Sequence, residues 1–570
     1  MNFFKKTRLL LGVWGLFTLF DLFLVRDASW VFENFQSERF LVNYIASALA
    51  FLGLLVLIAS HLLRGRKKII LSFFILFVPL MVQVSYFWIY RKFVSSFGFR
   101  AFFEEPGMVF SLWLDNIPVI RIFAALIMVF SVMVILKRIQ GGFHVLTQVF
   151  SGFVILVVTS LMVFSWYSVP VFQNSVLAYA GSYLELAKQK SYESFQLSRP
   201  VITAPETHKA LPDIIYIIGE STVLSHMSLF GYERDTTPGL SRLEKEGLIV
   251  AFDNCISIGL QTRLSVPYMM VGLQGIDPKG IIYTYPTIIN YAKARGYHTA
   301  FITAQDLFWG RLKELLIDKD VDDFENGTQF NPALSVHKGA NDLDVLEKGV
   351  LPFMAKARKP FLMVVQMDGS HYPFSEHSEQ EYKKFLPEEE PNGVNAFDNS
   401  VLYTDIYLTR LIEHVRQNNP SAWIFFSPDH GQNMGGKNGF YNDSFSNAVI
   451  HNPLIVSAPK DFIPILEANQ HAPLSQADIV PTMLELMDLK PVKPLDGFSL
   501  LGQIPMDRLR VCSTYMPTFH NTPESVLVFN DLSYYYFDQA RGSVLLKDGK
   551  TAMKFDDLEP EYREIFLRRM

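Results

Sequence analysis

Four stretches of the sequence end in residues that bind metals or move protons. DIIYIIG (Asp213–Gly219) runs into Glu220, and FLMVVQM (Phe361–Met367) runs into Asp368 and His371. AWIFFS (Ala422–Ser427) leads through Pro428 to Asp429-His430, and HTAFITA (His298–Ala304) leads to Gln305 and Asp306. Each stretch is short, apolar, rich in β-branched residues and bounded by polar turns, the pattern of a strand covered on both faces in a parallel sheet. Ligands of open α/β sheets bind beyond the carboxyl ends of the strands, so the polar residues that follow the strands gather on one edge. Glu, Asp and His are the oxygen and nitrogen donors that zinc accepts, and a catalytic zinc takes about three protein ligands and leaves one position open. Glu220, Asp429 and His430 supply three. For Asp429-His430 taken alone, the alternative is a loop closed by an ordinary hydrogen bond.

A nucleophile is available in SIGLQTRLSVPYMM (Ser257–Met270), where Thr262 precedes an apolar helical run. A hydroxyl at a helix start can face an anion, helped by backbone N–H groups and the helix dipole. A bound zinc ion lowers the pKa of such a hydroxyl. The alternative is that Thr262 or Ser265 is an N-cap.

These residues need an α/β sandwich of the doubly wound type to hold them. A fifth strand, PLIVSA (Pro453–Ala458), and helices at Ser400–Gln417 and Gln476–Met487 fit it. Further strands are expected over Glu524–Phe537 and Ser543–Phe555, with Asp548-Gly549 as a hairpin turn. The folded domain is expected to begin near Pro212, after a helix from Ser175 to Gln196 and a Pro/Thr-containing linker, Arg199–Leu211.

The first third has another character. Five apolar runs, at about Leu9–Leu24, Phe40–Leu63, Ile69–Tyr90, Ile117–Leu136 and Val145–Phe172, reach the roughly 20 residues that a helix needs to cross a bilayer. The first lacks a small-residue cleavage site before Val25-Arg26-Asp27 and reads as an uncleaved anchor. Lys5, Lys6 and Arg8, then Arg64, Arg66, Lys67 and Lys68, then Lys137 and Arg138 lie on one side, which places the N-terminus in the cytoplasm and the catalytic part outside. Asp21, within the first span, is expected near its outer end, facing a neighbouring helix; an intramembrane functional acid is the alternative. Phe93–Phe110 is expected to be an outer interfacial element. The division is a membrane domain over 1–172, a helix and linker over 173–211, and a catalytic domain over 212–570. The 570 residues are 49% hydrophobic and 19% charged, a mixture suited to such a split chain. A net charge of −5 without a dense basic stripe gives no support to nucleic-acid binding. Cys255 and Cys512 form no CxxC motif and fit buried thiols or one long-range disulfide.

Ile218–Leu240 (IGESTVLSHMSLFGYERDTTPGL), Ile258–Met269 (IGLQTRLSVPYM), Ser427–Gly439 (SPDHGQNMGGKNG), MDGSHYP and Ala477–Leu489 (ADIVPTMLELMDL) resemble segments of the bacterial phosphoethanolamine transferases, within the alkaline phosphatase and sulfatase superfamily. The resemblance covers most of the chain. It implies five transmembrane helices followed by a sulfatase-like catalytic domain with a mainly parallel central sheet, in the periplasm and anchored in the bacterial inner membrane. It implies zinc held by Glu220, Thr262, Asp429 and His430, Thr262 as nucleophile, and His371 on the substrate side. Phosphatidylethanolamine is the implied donor, and a lipopolysaccharide, another envelope glycolipid or a periplasmic glucan the acceptor. Where lipid A-modifying members carry cysteines flanking the nucleophile, this chain has Ile258 and Tyr268. Their second histidine after the metal segment falls near Asn442 and Asp443, and His451 is either a substitute for it or a hydrogen-bonded residue before a strand. The other readings are a phosphoglycerol transferase, a sulfatase, whose C/SxPxR-type motif the Thr262 segment lacks, or an inactive envelope scaffold, which would need a broken metal site. A transporter would need more spans and more polar residues at membrane depth.

Overall fold

The computed structural model describes residues 3–34, 38–63, 65–90, 92–104, 106–139, 143–164, 171, 173–189, 197–205, 209–275, 277, 279–307, 312–332, 339–388, 390, 393–434, 440–442, 445–514, 524–538, 543–545 and 552–567. The chain forms two compact units that divide at Glu193/Ser194.

The first unit is helical. Among the described residues, four helices are long and apolar enough to cross a membrane, Phe4–Val25, Leu41–Leu62, Arg66–Ile89 and Val119–Arg138, and a shorter apolar helix covers Val145–Leu161. Their outward faces carry apolar side chains such as Phe123, Phe130 and Leu156, each more than 60% exposed, a surface that suits lipid rather than water. Asp21 is fully buried and faces neighbouring segments, as expected for a residue near the end of the first span. It accepts from Arg26 at 3.1 Å, from the Tyr44 hydroxyl at 2.8 Å and from the Ser175 N–H at 3.2 Å. Arg26 also donates to the carbonyls of Val171 and Gln173. A buried charge is tolerated when it is paired and its remaining donors are used, and here the pair closes the end of the first helix on the chain that leaves the fifth. The expected interfacial element is two helices, Ser96–Glu104 and Pro106–Asp115.

The second unit is built on strands β1 (Ile214–Gly219), β2 (Val250–Ile256), β3 (His298–Thr303), β4 (Asp323–Glu325), β5 (Phe361–Gln366), β6 (Trp423–Pro428), β7 (Asn433–Met434), β8 (Phe440–Tyr441), β9 (His451–Ser457) and β10 (Leu474–Ser475). Eight of them form one sheet in the order β10-β2-β9-β6-β1-β5-β3-β4, and β7 pairs with β8 in a ribbon. β1, β5 and β6 are buried along their whole length, which is why their sequences lack polar alternation. β9 runs against both of its neighbours, and every other pairing in the sheet is parallel. The expected fifth strand is therefore present in the opposite direction, so its start, not its end, lies on the edge that carries Glu220 and Asp429. β2 had no apolar run to announce it, because Asp253 and Asn254 interrupt it and are half-exposed.

A second sheet, β11 (Arg510–Ser513), β12 (Glu524–Val528), β13 (Tyr534–Asp538), β14 (Ser543–Leu545) and β15 (Ala552–Lys554), is an antiparallel meander in chain order. The expected Asp548-Gly549 turn lies outside the described residues. β11 reaches the segment that follows β2: Ser513 donates its N–H to the Ile258 carbonyl at 3.0 Å. Cys255 and Cys512 are buried free thiols. Burial pushes both upward, Cys512 to about 12, so neither has thiolate character.

Candidate active site

The carboxyl edge of the sheet collects Glu220 after β1, Thr262 in the segment after β2, Gln305 after β3, Asp368 and His371 after β5, and Asp429-His430 after β6. Glu220, Asp429 and His430 are buried and offer three ligand atoms that lie within 4.8 Å of one another. The Thr262 Oγ1 donates to Glu220 Oε2 at 3.1 Å. The four residues on which the metal and nucleophile reading rested are thus in one place.

Each is fixed by its neighbours. Ser221, with φ of 52°, turns the chain sharply after Glu220; a left-handed serine costs energy that surrounding structure must over-determine. Its N–H donates to Asp429 Oδ1 at 3.1 Å and its hydroxyl to Glu220 Oε1 at 2.6 Å. Gln305 donates to Glu220 Oε2 at 3.0 Å and to the Met367 carbonyl at 3.1 Å, which ties the ends of β1, β3 and β5 together. His430 Nδ1 lies 2.8 Å from the Gly431 carbonyl. Donation there sets the tautomer that leaves the Nε2 lone pair for a metal. Gly431 must be glycine, since a Cβ would stand 2.0 Å from the Ala448 carbonyl oxygen.

Thr262 begins the helix Thr262–Val271, and Gln261 is the N-cap. The hydroxyl of Thr262 is turned to Glu220 instead of capping the helix, so the capping alternative for Thr262 does not describe it. Gln476 was not singled out by sequence, yet it holds the loop. Its Oε1 accepts from the Ile258 N–H at 2.9 Å, and its Nε2 donates to the carbonyls of Pro428 and Asp429. One buried amide thereby joins the segment that carries Thr262 to the segment that carries Asp429.

The GYERDTTP string serves as support. His226, Tyr232 and Arg234 converge on the buried Asp398 carboxylate at 2.7–3.0 Å. Asp405, two turns further along the same helix, Val394–Asn418, accepts from the N–H groups of Gly239 and Leu240. These bonds anchor the chain that leaves Glu220, and sequence pattern alone did not point to Asp398 as their hub.

The remaining residues sort differently. His371 Nδ1 lies 2.6 Å from the Tyr372 carbonyl, and the ring is near enough to bias Glu220 electrostatically. Asp306 accepts from Asn326 at 2.9 Å. Asp368 turns to His377 at 2.7 Å. His451 sits at the start of β9 with Nε2 2.6 Å from the Asp253 carbonyl, so it is the hydrogen-bonded residue before a strand and not a substitute ligand. The Asn442 amide lies 3.2 Å from His430 Nε2, and Asp443 lies outside the described residues.

The electrostatics call for a cation. Burial raises Glu220, but His430, His371 and the hydrogen bonds from Ser221 and Gln305 hold its carboxyl below the usual range. Burial and the Glu220 charge push Asp429 up to about 7. Asp429 Oδ2 is buried without a hydrogen-bond donor, although His430 Nε2 lies 3.2 Å away. Two confronting carboxylates, the His430 Nε2 beside them and a buried Asp429 oxygen fit a zinc ion, which would displace the Asn442 amide from that nitrogen. The pH dependence follows. A raised Asp429 value favours the protonated metal-free fold below the unfolded value of 3.8 and withdraws that stability as pH rises through about 7. Metal binding needs the ionised carboxylate. Chelation should therefore lower Tm more at pH 8 than at pH 6, as differential scanning fluorimetry would record; an equal drop at both values would mean that Asp429 is not a ligand.

Comparison with known proteins adds the family setting. Residues 212–489 match the sulfatase family model. The chain is 27% identical over 235 residues to phosphoethanolamine transferase EptC of Escherichia coli K12, covering 39% of this chain and 40% of that protein. It is 25% identical over 275 residues to phosphatidylethanolamine transferase Mcr-1 of Escherichia coli, covering 45% and 48%. The chain thus spans less than half the length of these curated relatives. In structure it resembles the integral membrane lipooligosaccharide phosphoethanolamine transferase A of Neisseria meningitidis, with a TM-score of 0.57 at 16% identity, over 84% of this chain and 95% of that one. That likeness extends the fold correspondence to both units.

Proposed function

We propose, from the match of residues 212–489 to the sulfatase family model and the similarity to bacterial phosphoethanolamine transferases, that the chain moves phosphoethanolamine from phosphatidylethanolamine to an acceptor in the cell envelope. The observation that carries this reading is the Thr262 hydroxyl on Glu220, within the Glu220-Asp429-His430 cluster. A hydroxyl presented to a buried metal-type cluster is an activated nucleophile, and a lipid donor explains why the catalytic unit follows apolar helices.

Glu220, Asp429 and His430, with Thr262, would hold zinc. Bound there, zinc would lower the pKa of the Thr262 hydroxyl and offset charge on phosphoryl oxygens. Thr262 Oγ1 bonds to phosphorus, the bond from phosphorus to the diacylglyceryl oxygen breaks, and that oxygen takes the proton lost from Thr262. In the second half the acceptor oxygen bonds to phosphorus, the bond to Thr262 breaks and the threonine recovers a proton. Ping-pong kinetics follow. His371 lies on the substrate side, where a ring beside Glu220 can meet the phosphoryl group or the leaving oxygen. The helical unit lies in the inner membrane and the catalytic unit in the periplasm. An envelope glycolipid such as lipid A or a core sugar, or a periplasmic glucan, is the acceptor.

The test is to incubate the full-length protein with fluorescent phosphatidylethanolamine, with and without a zinc chelator. Release of labelled diacylglycerol, its loss on chelation and its return with zinc are expected. Release that chelation leaves untouched would remove the metal from the reaction, and no release with any acceptor would remove the donor.

A further inference from the structure

We propose that Gln476 is the positioning residue for Thr262: its side-chain amide sets the Thr262 segment against the Asp429-His430 segment and so brings the hydroxyl to the metal cluster. This role rests on the reading of Thr262 as nucleophile and zinc ligand. It makes placing the nucleophile a separate task from holding the metal.

The sheet topology creates the need. Glu220 and Asp429 follow β1 and β6, neighbouring parallel strands whose ladder runs up to Gly219 and Pro428. The Asp429 N–H then donates to the Gly219 carbonyl at 3.0 Å. Backbone pairing therefore keeps Glu220, Asp429 and His430 together. Thr262 follows β2, and β9 lies between β2 and β6. With neighbouring strands about 4.8 Å apart, β2 and β6 stand about 10 Å apart. β9 guides them poorly at this edge. Its ladder with β6 ends at Phe426, before the active residues, and its ladder with β2 is irregular between Phe252 and Cys255.

Gln476 bridges that gap with one fully buried side chain. Its Oε1 accepts from the Ile258 N–H at 2.9 Å, and its Nε2 donates to the carbonyls of Pro428 and Asp429, the latter at 3.2 Å. The reverse orientation would set N–H against N–H and oxygen against two carbonyl oxygens, so the amide has one placement. The backbone of Gln476 is fixed in turn. Ser475 pairs with Ile256 of β2, and the Ser475 N–H donates to Asp478 at 2.8 Å. Arg508 holds the same Asp478 oxygen at 2.7 Å.

A shift of Ile258 reaches Thr262. A Cβ on Gly259 would stand 2.9 Å from the Leu264 Cβ and 3.1 Å from the Ser265 Oγ, so the loop packs directly on the helix that Thr262 begins. A second route joins the two segments through the short helix Asn447–Ile450. Ser257 donates its N–H to the Ile450 carbonyl, and Gly431 donates its N–H to the Val449 carbonyl, both at 2.8 Å. That route keeps the segments attached when the amide is removed, which lets a Gln476 variant fold while Thr262 is misplaced.

The experiment is a double-mutant cycle on zinc affinity, measured by competition with a chromophoric chelator on the full-length protein. Gln476→Met keeps the length of the side chain and removes the amide. Gln476→Met and Thr262→Ala should each weaken zinc by about tenfold, and the double variant should lie within about twofold of Thr262→Ala alone, because both act through one hydroxyl. If Gln476→Met weakens zinc as much in the Thr262→Ala background as in the wild type, the amide acts on Asp429 and the assignment is overturned; no effect in the wild type overturns it too. In the metal-free protein, hydrogen exchange should quicken across Ser257–Arg263 in Gln476→Met and keep its wild-type rate across Ile214–Gly219 and Trp423–Pro428. Unchanged exchange across Ser257–Arg263, or a loss of protection in all three segments, would count against a positioning role. Gln476→Asn keeps the amide but is one carbon too short to hold both sides. It should behave as Gln476→Met does, and it carries the test if the methionine variant fails to fold. With phosphatidylethanolamine, kcat should fall about a hundred-fold, as for a misplacement of about 1 Å, with KM within about twofold. If the wild type releases no diacylglycerol, the transferase reading fails, and the zinc cycle and exchange still decide the role of Gln476. If it releases diacylglycerol and the Gln476 variants keep the wild-type kcat, the transferase reading stands and the role of Gln476 fails.

Discussion

Thr262→Ala should lower transfer by at least about a thousand-fold, or roughly 4 kcal/mol of transition-state stabilisation, while the protein stays folded and holds zinc more weakly. The alanine keeps the backbone of the helix Thr262–Val271, whose N-cap is Gln261, so the loss would not come from an unravelled helix. It deletes the one hydroxyl that the Thr262 helix presents to Glu220 Oε2. A second hydroxyl lies close by, that of Ser221, but it is committed to Glu220 Oε1 at 2.6 Å on a residue that is 3% exposed. Thr262 is half-buried, so its side chain keeps some exposure to solvent. Thr262→Ser restores a hydroxyl at the same place and should recover measurable release of diacylglycerol. A phosphoethanolamine adduct should appear by mass spectrometry on the peptide that contains Thr262 in the wild type and vanish in the alanine variant. If Thr262→Ala keeps more than about a tenth of the activity, a loss of only about 1.4 kcal/mol, the covalent route through this residue is wrong.

What sequence made legible follows from where burial is two-sided. β1, β5 and β6 are covered on both faces, so their apolar runs stood out and the polar residues after them could be read as one edge. β2 leads directly to Thr262, yet it carries Asp253 and Asn254 in mid-strand and reads as loop. The direction of β9 was not legible either, because an apolar run has no polarity; only its pairing places His451 at the active edge, and the bond to Asp253 then takes that ring out of the site. The supporting residues were hardest to find. Gln476 and Asp398 act through contacts to residues tens to hundreds of positions away, and nothing in local spacing marks such partners.

Asp429→Asn should separate holding the metal from holding the fold. The substitution keeps the shape of the side chain and leaves an oxygen to accept the N–H groups of Ser221 and His430, at 3.1 and 2.8 Å in the native protein. It removes the negative charge that faces Glu220 and replaces the orphaned Oδ2 by an amide nitrogen. Zinc should bind more than about a hundred-fold more weakly, since a ligand charge is lost outright and even the outer partners of metal ligands are worth about 10–100-fold. Transfer should fall at least as far. In the metal-free state the effect has the opposite sign. At pH 8 the native carboxylate, raised to about 7 by burial and by Glu220, is ionised at a cost, whereas the amide is neutral at every pH. The metal-free variant should therefore melt at or above the metal-free wild type at pH 8, and that advantage should fade toward pH 5, where Asp429 regains its proton. Zinc content by elemental analysis and Tm across this range measure both effects. A variant that loses activity while keeping its full zinc complement would make Asp429 an orienting residue for His430 and not a ligand. A variant that loses stability in the metal-free state would show that the carboxylate holds the turn between β6 and β7 in its own right.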